Sequence, residues 1–374
     1  MEVSKPNNRI GLIDSLRGFA LLGVLIANTL AFAHKEKLLP NLADLSSSPD
    51  LRSFVYFFVE GSFYPLFTFL FGYGLAMQLA KAEDLPYLRL RLTILFVFGL
   101  LHGIFLFSGD ILHAYALLGL ASLPFYRHLI NSKHKVRFFS ILLILSVLIF
   151  WGVFELEANL DASSFELTDY GNTSYWSITQ QRFSDFLAAL ITLPIFSPQL
   201  LFFLGLGMVF QSRNVLEEAS HHRRFWQTLF LICTLFSLTL LGVFYLNPEL
   251  LTRSLAQSIE LTLFSPALGF AYFSGMVLLY PYLNHLLKPL AAVGKLSLSN
   301  YLTQSLVMTT LFNGYGLGWF DRFSLGSSLS IALILFILQI ILSNLWLRYF
   351  RYGPVEWLWR SLSYKQRLSL RRQR

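Results

Sequence analysis

Long apolar runs alternate with short polar breaks along the chain, and each run has the length of a membrane-crossing helix. At about 20 residues per span, the hydropathy predicts spans at about 11–33, 51–80, 88–108, 110–128, 136–155, 183–211, 225–246, 257–282, 290–313 and 325–348. The expected fold is all-α, a polytopic integral membrane helical bundle of about ten transmembrane helices with both termini cytoplasmic. Residues 1–350 read as a single transmembrane helical domain. Residues 351–374 read as a basic amphipathic cytoplasmic tail, because Gly353-Pro354 breaks the last helix and Trp357 and Trp359 then interleave with basic residues. No internal repeat and no long Pro/Gly/Ser linker divides the chain.

Composition narrows the function class. Only 13% of the 374 residues are charged and 55% are hydrophobic, against about 25% charged in an ordinary soluble domain, so a soluble fold is excluded. The formal net charge of +8 is a topology signal. With both termini inside, 23 of the 29 Lys and Arg residues fall on inner connections and 6 on outer ones, as the positive-inside rule requires. The acidic residues Glu155, Glu157, Asp161, Glu166 and Asp169 gather on one outer segment. Membrane lipids are therefore the expected partners, and nucleic acid is not. A cleavable leader ending at Ala31-Phe32-Ala33 is the weaker reading of the N-terminus, since Asp14, Arg17 and Asn28 are poor content for a disposable segment. A lone cysteine, Cys233, excludes an intramolecular disulfide, a zinc-thiolate site and an iron–sulfur cluster, and no metal is expected. Walker, Rossmann, HExxH, GxSxG and kinase motifs are absent.

An ionisable group in hydrocarbon is costly unless paired or wet, so polar residues interrupting apolar runs carry the chemistry. Asp14 and Arg17 share one helix face at the inner end of the first span, where an ion pair is the simplest reading. Asn28 lies about three turns further on, nearer the outer leaflet. Arg89 and Arg91 open the third span, and His102 follows about 20 Å beyond Arg89 at 1.5 Å per residue, flanked by Gly99 and Gly103 in a spacing that admits a close neighbour. Asp110 and His113 sit at the next outer turn, and a histidine beside a carboxylate is the minimum equipment of an oriented general base. Glu60 precedes Tyr64-Pro65 in the outer half of the second span, and Pro65 is expected to kink it. Asn300, Tyr301 and Gln304 supply hydrogen-bonding groups near the middle of the ninth. Glu60, His102, Asp110 and His113 thus predict one outward-facing polar pocket. Asp14, Arg17, Arg89 and Arg91 predict a second cluster at the inner face.

The opening R-x4-D-x2-R-G-x-A-L-x-G-x4-N (Arg9, Asp14, Arg17, Gly18, Ala20, Leu21, Gly23, Asn28) resembles the first span of the YeiB-like bacterial membrane proteins, known as domain of unknown function 418. EGSFYPLFTFLFGYG, HGIFLFSGDILHAYALLGL, SNYLTQS and GPVEWLWR resemble that family's later blocks in the same order. The resemblance implies a multi-pass protein of the bacterial inner membrane. The first-span signature is also similar to that of heparan-alpha-glucosaminide N-acetyltransferase and, more remotely, of the acyltransferase-3 membrane enzymes. Arg9, Asp14 and Arg17 match the shared motif, whereas His102 and Asp110 belong to the YeiB-like block.

By that analogy the expected activity is transmembrane acyl transfer from cytoplasmic acyl-CoA, as co-substrate, to a hydroxyl or amine of a small-molecule, glycan or lipid acceptor at the outer face. Arg17, Arg89 and Arg91 would meet the donor's phosphates, His102 would act as base, and Asp110 or Glu60 would orient it. Arg9, Asp14, Asn28, His113, Asn300, Tyr301 and Gln304 are expected as structural or pocket residues. The alternative is a proton-coupled transporter or lipid-handling protein using the same polar cavity without covalent chemistry. A homodimer is an admissible assembly under either reading.

Overall fold

The computed structural model describes residues 6–34, 51–81, 85–159, 170–171, 173–246 and 250–372, with residues 6–10 described in backbone only. Helices are the regular secondary structure among the described residues, with one isolated bridge between Phe350 and Arg371. In chain order the helices are α1 (Pro6–Ala33), α2 (Leu51–Phe58), α3 (Phe63–Lys81), α4 (Leu85–Phe105), α5 (Leu112–Ser122), α6 (Tyr126–Asn131) and α7 (Lys135–Asn159). They continue as α8 (Tyr175–Gln211), α9 (Arg223–Leu246), α10 (Arg253–Ile259), α11 (Ser265–Lys295), α12 (Ser297–Phe312), α13 (Leu325–Tyr349) and α14 (Pro354–Tyr364). Eight helical segments among the described residues are long and apolar enough to cross a membrane. The protein is therefore an all-α polytopic membrane helical bundle.

Two of the ten expected spans fall short of that criterion. The fourth is a composite, in which α5 passes through a 3-10 turn at Leu123–Phe125 into α6. Pro124 in that turn has no N–H to continue the α-helical ladder. The ninth, α12, has 16 residues, about 24 Å at 1.5 Å per residue, against a hydrocarbon core of about 30 Å. α12 nevertheless runs from one end of the bundle to the other. At one end Gly314 N–H donates to Tyr170 O at 2.7 Å, Asp321 N–H to Ala33 O at 2.8 Å and Arg182 to Phe105 O at 2.9 Å. The opposite end joins Ser15 to Leu287 O at 3.1 Å, Trp359 to Arg91 O at 2.8 Å and Leu298 N–H to Glu356 at 2.8 Å. The predicted outer connections thus share one end and the predicted inner connections the other.

Three boundaries differ from expectation. The second span is two helices, broken before Pro65 at a turn where Gly61 adopts a left-handed φ of 72°. The eighth and ninth spans divide at Leu296, because α11 absorbs Pro281 and Pro289 with a kink at Leu283 and continues to Lys295. The sixth begins at Tyr175, capped by Ser174, which accepts the N–H of Ser177.

Inside a membrane the drive to pack comes from close contact rather than water exclusion. α1 lies on α11 and α3 lies on α8, and each pair is closed by facing glycines. A Cβ on Gly18 would strike the Leu290 carbonyl, and one on Gly294 the Asp14 carbonyl. Gly72 and Gly207 stand in the same relation to Leu204 O and Phe69 O. Around these contacts Phe69 packs edge-on against Phe210, Phe270 and Phe273, the preferred geometry of aromatic quadrupoles.

Candidate functional site: an outer cavity around Asp110

The connection between α4 and α5 builds the polar centre. His102 lies one turn before the end of α4, and Asp110 stands just ahead of α5. Gly99 makes the approach feasible, since a Cβ there would collide with the backbone N of His113 and crowd the Asp110 carboxylate. The Gly99/Gly103 spacing therefore serves the chain's own turn, and Gly103 receives the ring of Phe186 from α8.

Asp110 bridges both histidines. Its Oδ1 is 2.8 Å from Nδ1 of His102, and its Oδ2 is 3.0 Å from both Nδ1 and the backbone N of His113. All three residues are buried, with side-chain exposures of 1%, 0% and 3% in the order His102, Asp110, His113. A carboxylate accepting from each Nδ1–H assigns the lone pair of each neutral ring to Nε2. One acceptor thus orients two bases.

A cavity of about 660 Å³ opens beside this group, within the size range of small-molecule sites. Asp110, His113, Tyr301, Asn28 and Glu60 line it. His102 lies behind Asp110 and does not line it, but its ring is 5.0 Å from that of Tyr301, which does. His102 Nε2 and the Tyr301 hydroxyl are buried without a hydrogen-bond partner among the described residues. Such orphaned groups mark sites that need an explanation beyond folding. Arg52 and Tyr56 of α2, four residues apart on one helix face, and Glu60 of the turn that follows also line the cavity.

A further carboxylate, Glu260, is 4% exposed at the start of a π-helical stretch, Glu260–Phe264. It acts electrostatically on Tyr56 and is itself influenced by Glu60. The π-helical stretch faces the turn after α2, where Gly61 abuts Ser265, and π-bulges concentrate at functional sites. Glu260 interrupts the apolar run SIELTLFSPALG, so the rule that singled out Glu60 also reaches it; the sequence reading passed over it.

The inner cluster is more firmly occupied. Arg17 Nη1 donates to Asp14 Oδ1 at 3.1 Å, and Lys295 and Arg360 act on the same carboxylate. Arg91 is buried, stacked 3.8 Å over the Trp359 ring and bonded to Tyr87 Oη at 3.1 Å. Arg89 is exposed. The side chain of Arg9 lies outside the described residues. Asn300 and Gln304 face α13, where Asn300 donates to Ser343 at 3.0 Å and Gln304 to Gln339 at 2.9 Å. These two are interhelical ties rather than cavity residues. No group of three or more His, Cys, Asp or Glu side chains suited to a metal ion occurs among the described residues.

Comparison with known proteins places these features in company. Residues 210–366 match the family model described as protein of unknown function (DUF418). The chain is 30% identical over 403 residues to the uncharacterized protein YxaH of Bacillus subtilis (strain 168), covering 97% of this chain and 96% of that one. It is 31% identical over 376 residues to an uncharacterized 39.9 kDa protein in the amylase 3' region of Bacillus acidopullulyticus, with the same coverage of both chains. Similarity to the uncharacterized protein YeiB of Escherichia coli (strain K12) is 29% over 373 residues, covering 94% of this chain and 95% of that one.

Proposed function

The chain belongs to the YeiB-like DUF418 family of membrane proteins, and from that premise and the geometry around Asp110 we propose that it is a transmembrane acyltransferase of the bacterial inner membrane. The observation that carries the reading is a buried carboxylate holding Nδ1 of two histidines, one of which lines a cavity of substrate size. This is the orientation in which a histidine Nε2 serves as general base. Of the two, His113 is the better placed to meet an acceptor, with Asp110 as its positioning residue. His102 reaches the cavity only by way of Tyr301.

In the proposed step His113 Nε2 takes the proton from an acceptor hydroxyl or amine as that oxygen or nitrogen attacks the thioester carbonyl of acyl-CoA. The new ester or amide bond forms as the carbon–sulfur bond breaks, and the departing thiolate takes up the proton to leave as free CoA. The donor's phosphates would be met at the inner end by Arg17, Arg89 and the neighbouring Lys295 and Arg360, and its acyl arm would extend toward the cavity. Both termini are placed in the cytoplasm on this reading.

Full-length protein reconstituted in bacterial lipid and supplied with radiolabelled acetyl-CoA tests it. Label is expected to pass to an acceptor, with stoichiometric release of CoA, and Asp110→Asn is expected to lower the rate by about 10²–10⁴-fold. Acetyl-CoA that neither raises the melting temperature nor loses its acyl group overturns the reading.

One observation favours a second reading. Glu60 and Glu260 bring two carboxylates to adjoining helix interruptions, the arrangement expected of a proton-coupled carrier. Substrate-driven proton flux in sealed vesicles, without covalent product and abolished by Glu260→Gln, would select it.

A further inference from the structure

A second, smaller cavity of about 80 Å³ adjoins the first and shares Ala31, Ser108 and Gly109 with it. Its distinctive wall is Arg182 of α8, 3% exposed. A buried guanidinium ordinarily has a carboxylate partner, and Arg182 has none within ion-pair distance among the described residues. Asp185, one turn along the same helix, is not within ion-pair distance of it: its oxygens accept from Gln181 at 2.8 Å and from Tyr170 Oη at 3.2 Å. The cation is held in place by the Phe105 carbonyl at 2.9 Å, at the C-terminal end of α4, and by a long contact of 3.4 Å to Tyr315 Oη. Those bonds use two of the five guanidinium N–H donors.

Asn313 stands in the same cavity at 4% exposure. Its backbone is fully engaged with Thr309, Gly316 and Gly318, which leaves the side-chain amide as its remaining polar group at the cavity. With Ser108, the polar wall of this cavity draws on α8, the residue that follows α12 and the α4–α5 turn. Donors approaching from several sides suit the diverging oxygens of a tetrahedral phosphate, which a guanidinium also recognises in bidentate fashion. The volume holds two to three waters at about 30 Å³ each, and so admits one such group. Asp110 lines the larger cavity and not this one, and its carboxylate oxygens accept from its two histidines.

We propose that Arg182, with Asn313 and Ser108, binds a phosphate group of the outer-face substrate, so that the acceptor is a phosphorylated molecule whose reacting end lies in the larger cavity. The inference rests on the larger cavity being the substrate site. Its chemistry is shared by a lipid headgroup phosphodiester and by a soluble phosphate.

Thermal unfolding of the full-length protein in detergent, titrated without acyl-CoA, tests the pocket. The probes are inorganic phosphate, dihexanoyl phosphatidic acid and, as zwitterionic comparator, dihexanoyl phosphatidylcholine. Saturable stabilisation by one of the two anionic probes is expected, and which one acts identifies the source. Arg182→Gln is expected to weaken that probe at least tenfold, with Arg182→Lys intermediate. Should Arg182→Gln fail to fold, Asn313→Asp keeps Arg182 and its bond to Phe105 in place and adds a repelling carboxylate, which is expected to abolish the shift. No saturable shift with either anionic probe, or undiminished affinity in these variants, overturns the proposal. Because the readout contains no acyl donor, absence of acyl transfer would leave the pocket standing, and loss of the pocket would leave the transfer reaction standing.

Discussion

Asp110 accepts from three donors with its side chain fully buried, and its replacement separates structure from chemistry. Asp110→Ala leaves two imidazole N–H groups and the His113 backbone N–H without an acceptor, each a desolvation cost of about 1–3 kcal/mol. A large drop in melting temperature is therefore expected, whereas Asp110→Asn retains one acceptor oxygen and is expected to lose much less. Equal losses for the two variants would refute the bridging role. Glu356, on the tail helix and outside the membrane spans, behaves differently. Its carboxylate accepts the N–H groups of Leu298 and Ser299 and the Ser299 hydroxyl, capping α12 as an N-terminal carboxylate does. Burial nonetheless pushes its carboxyl above the usual carboxylate range, against those hydrogen bonds. An acid raised in the folded state binds more protons there than when unfolded, so stability falls as pH rises from the ordinary carboxylate range through the folded value. Differential scanning fluorimetry from pH 4 upward should show that slope in the wild type and its loss in Glu356→Gln.

At the scale of elements, close helix pairs and deliberate interruptions divide the work. Gly18 and Gly294 seat α1 on α11, and Gly72 and Gly207 seat α3 on α8. Gly72→Ala or Gly294→Ala forces backbones apart, at a cost of about 1–3 kcal/mol, and is expected to lower the melting temperature by several degrees. Gly242→Ala is the control, since a Cβ there meets nothing within 4 Å, and no comparable loss is expected. Two interruptions line the cavity, the turn holding Gly61 and the α4–α5 connection bearing Asp110, and the π-helical stretch at Glu260 abuts the first of them. Backbone freed from a regular helix inside a membrane persists where protein or a wet cavity satisfies it. Ion-paired and stacked groups fill the inner end instead, where Arg91 on Trp359 ties α4 to α14.

For the whole molecule the telling property is the alternation of ends. The packing brings the α4–α5 turn, Tyr170, Arg182 and Asn313 together at one end, and Asp14, Arg91, Lys295 and the tail helix at the other. This arrangement needs α5–α6 and α12 to count as passes although both are short. Cysteine labelling in a Cys233→Ser background checks it: Ser132→Cys is expected to react with an impermeant reagent only from the cytoplasmic side, and Ser324→Cys only from outside. Ser132→Cys reacting from outside would show that α5–α6 does not cross.

Hydropathy alone determined the fold class, nearly all the helices and the ordered polar blocks, because an apolar run of about 20 residues has few alternatives to a membrane helix. The Asp14–Arg17 pair was equally legible, since helical spacing of three residues brings such groups together locally. Local sequence also joined His113 to Asp110, three residues apart, but could not say which histidine would line the cavity. Glu260 is 200 positions from Glu60, and Arg182 is 131 positions from Asn313. Their meeting depends on helices packed side by side across the bundle, and no periodicity within one helix encodes its neighbour. Tertiary structure likewise decided that Arg91 stacks on Trp359 and bonds to Tyr87, and that Asn300 and Gln304 tie α12 to α13. A polar side chain in an apolar run declares that it must be satisfied; only the helix lying opposite decides whether by the protein itself or by what the protein binds.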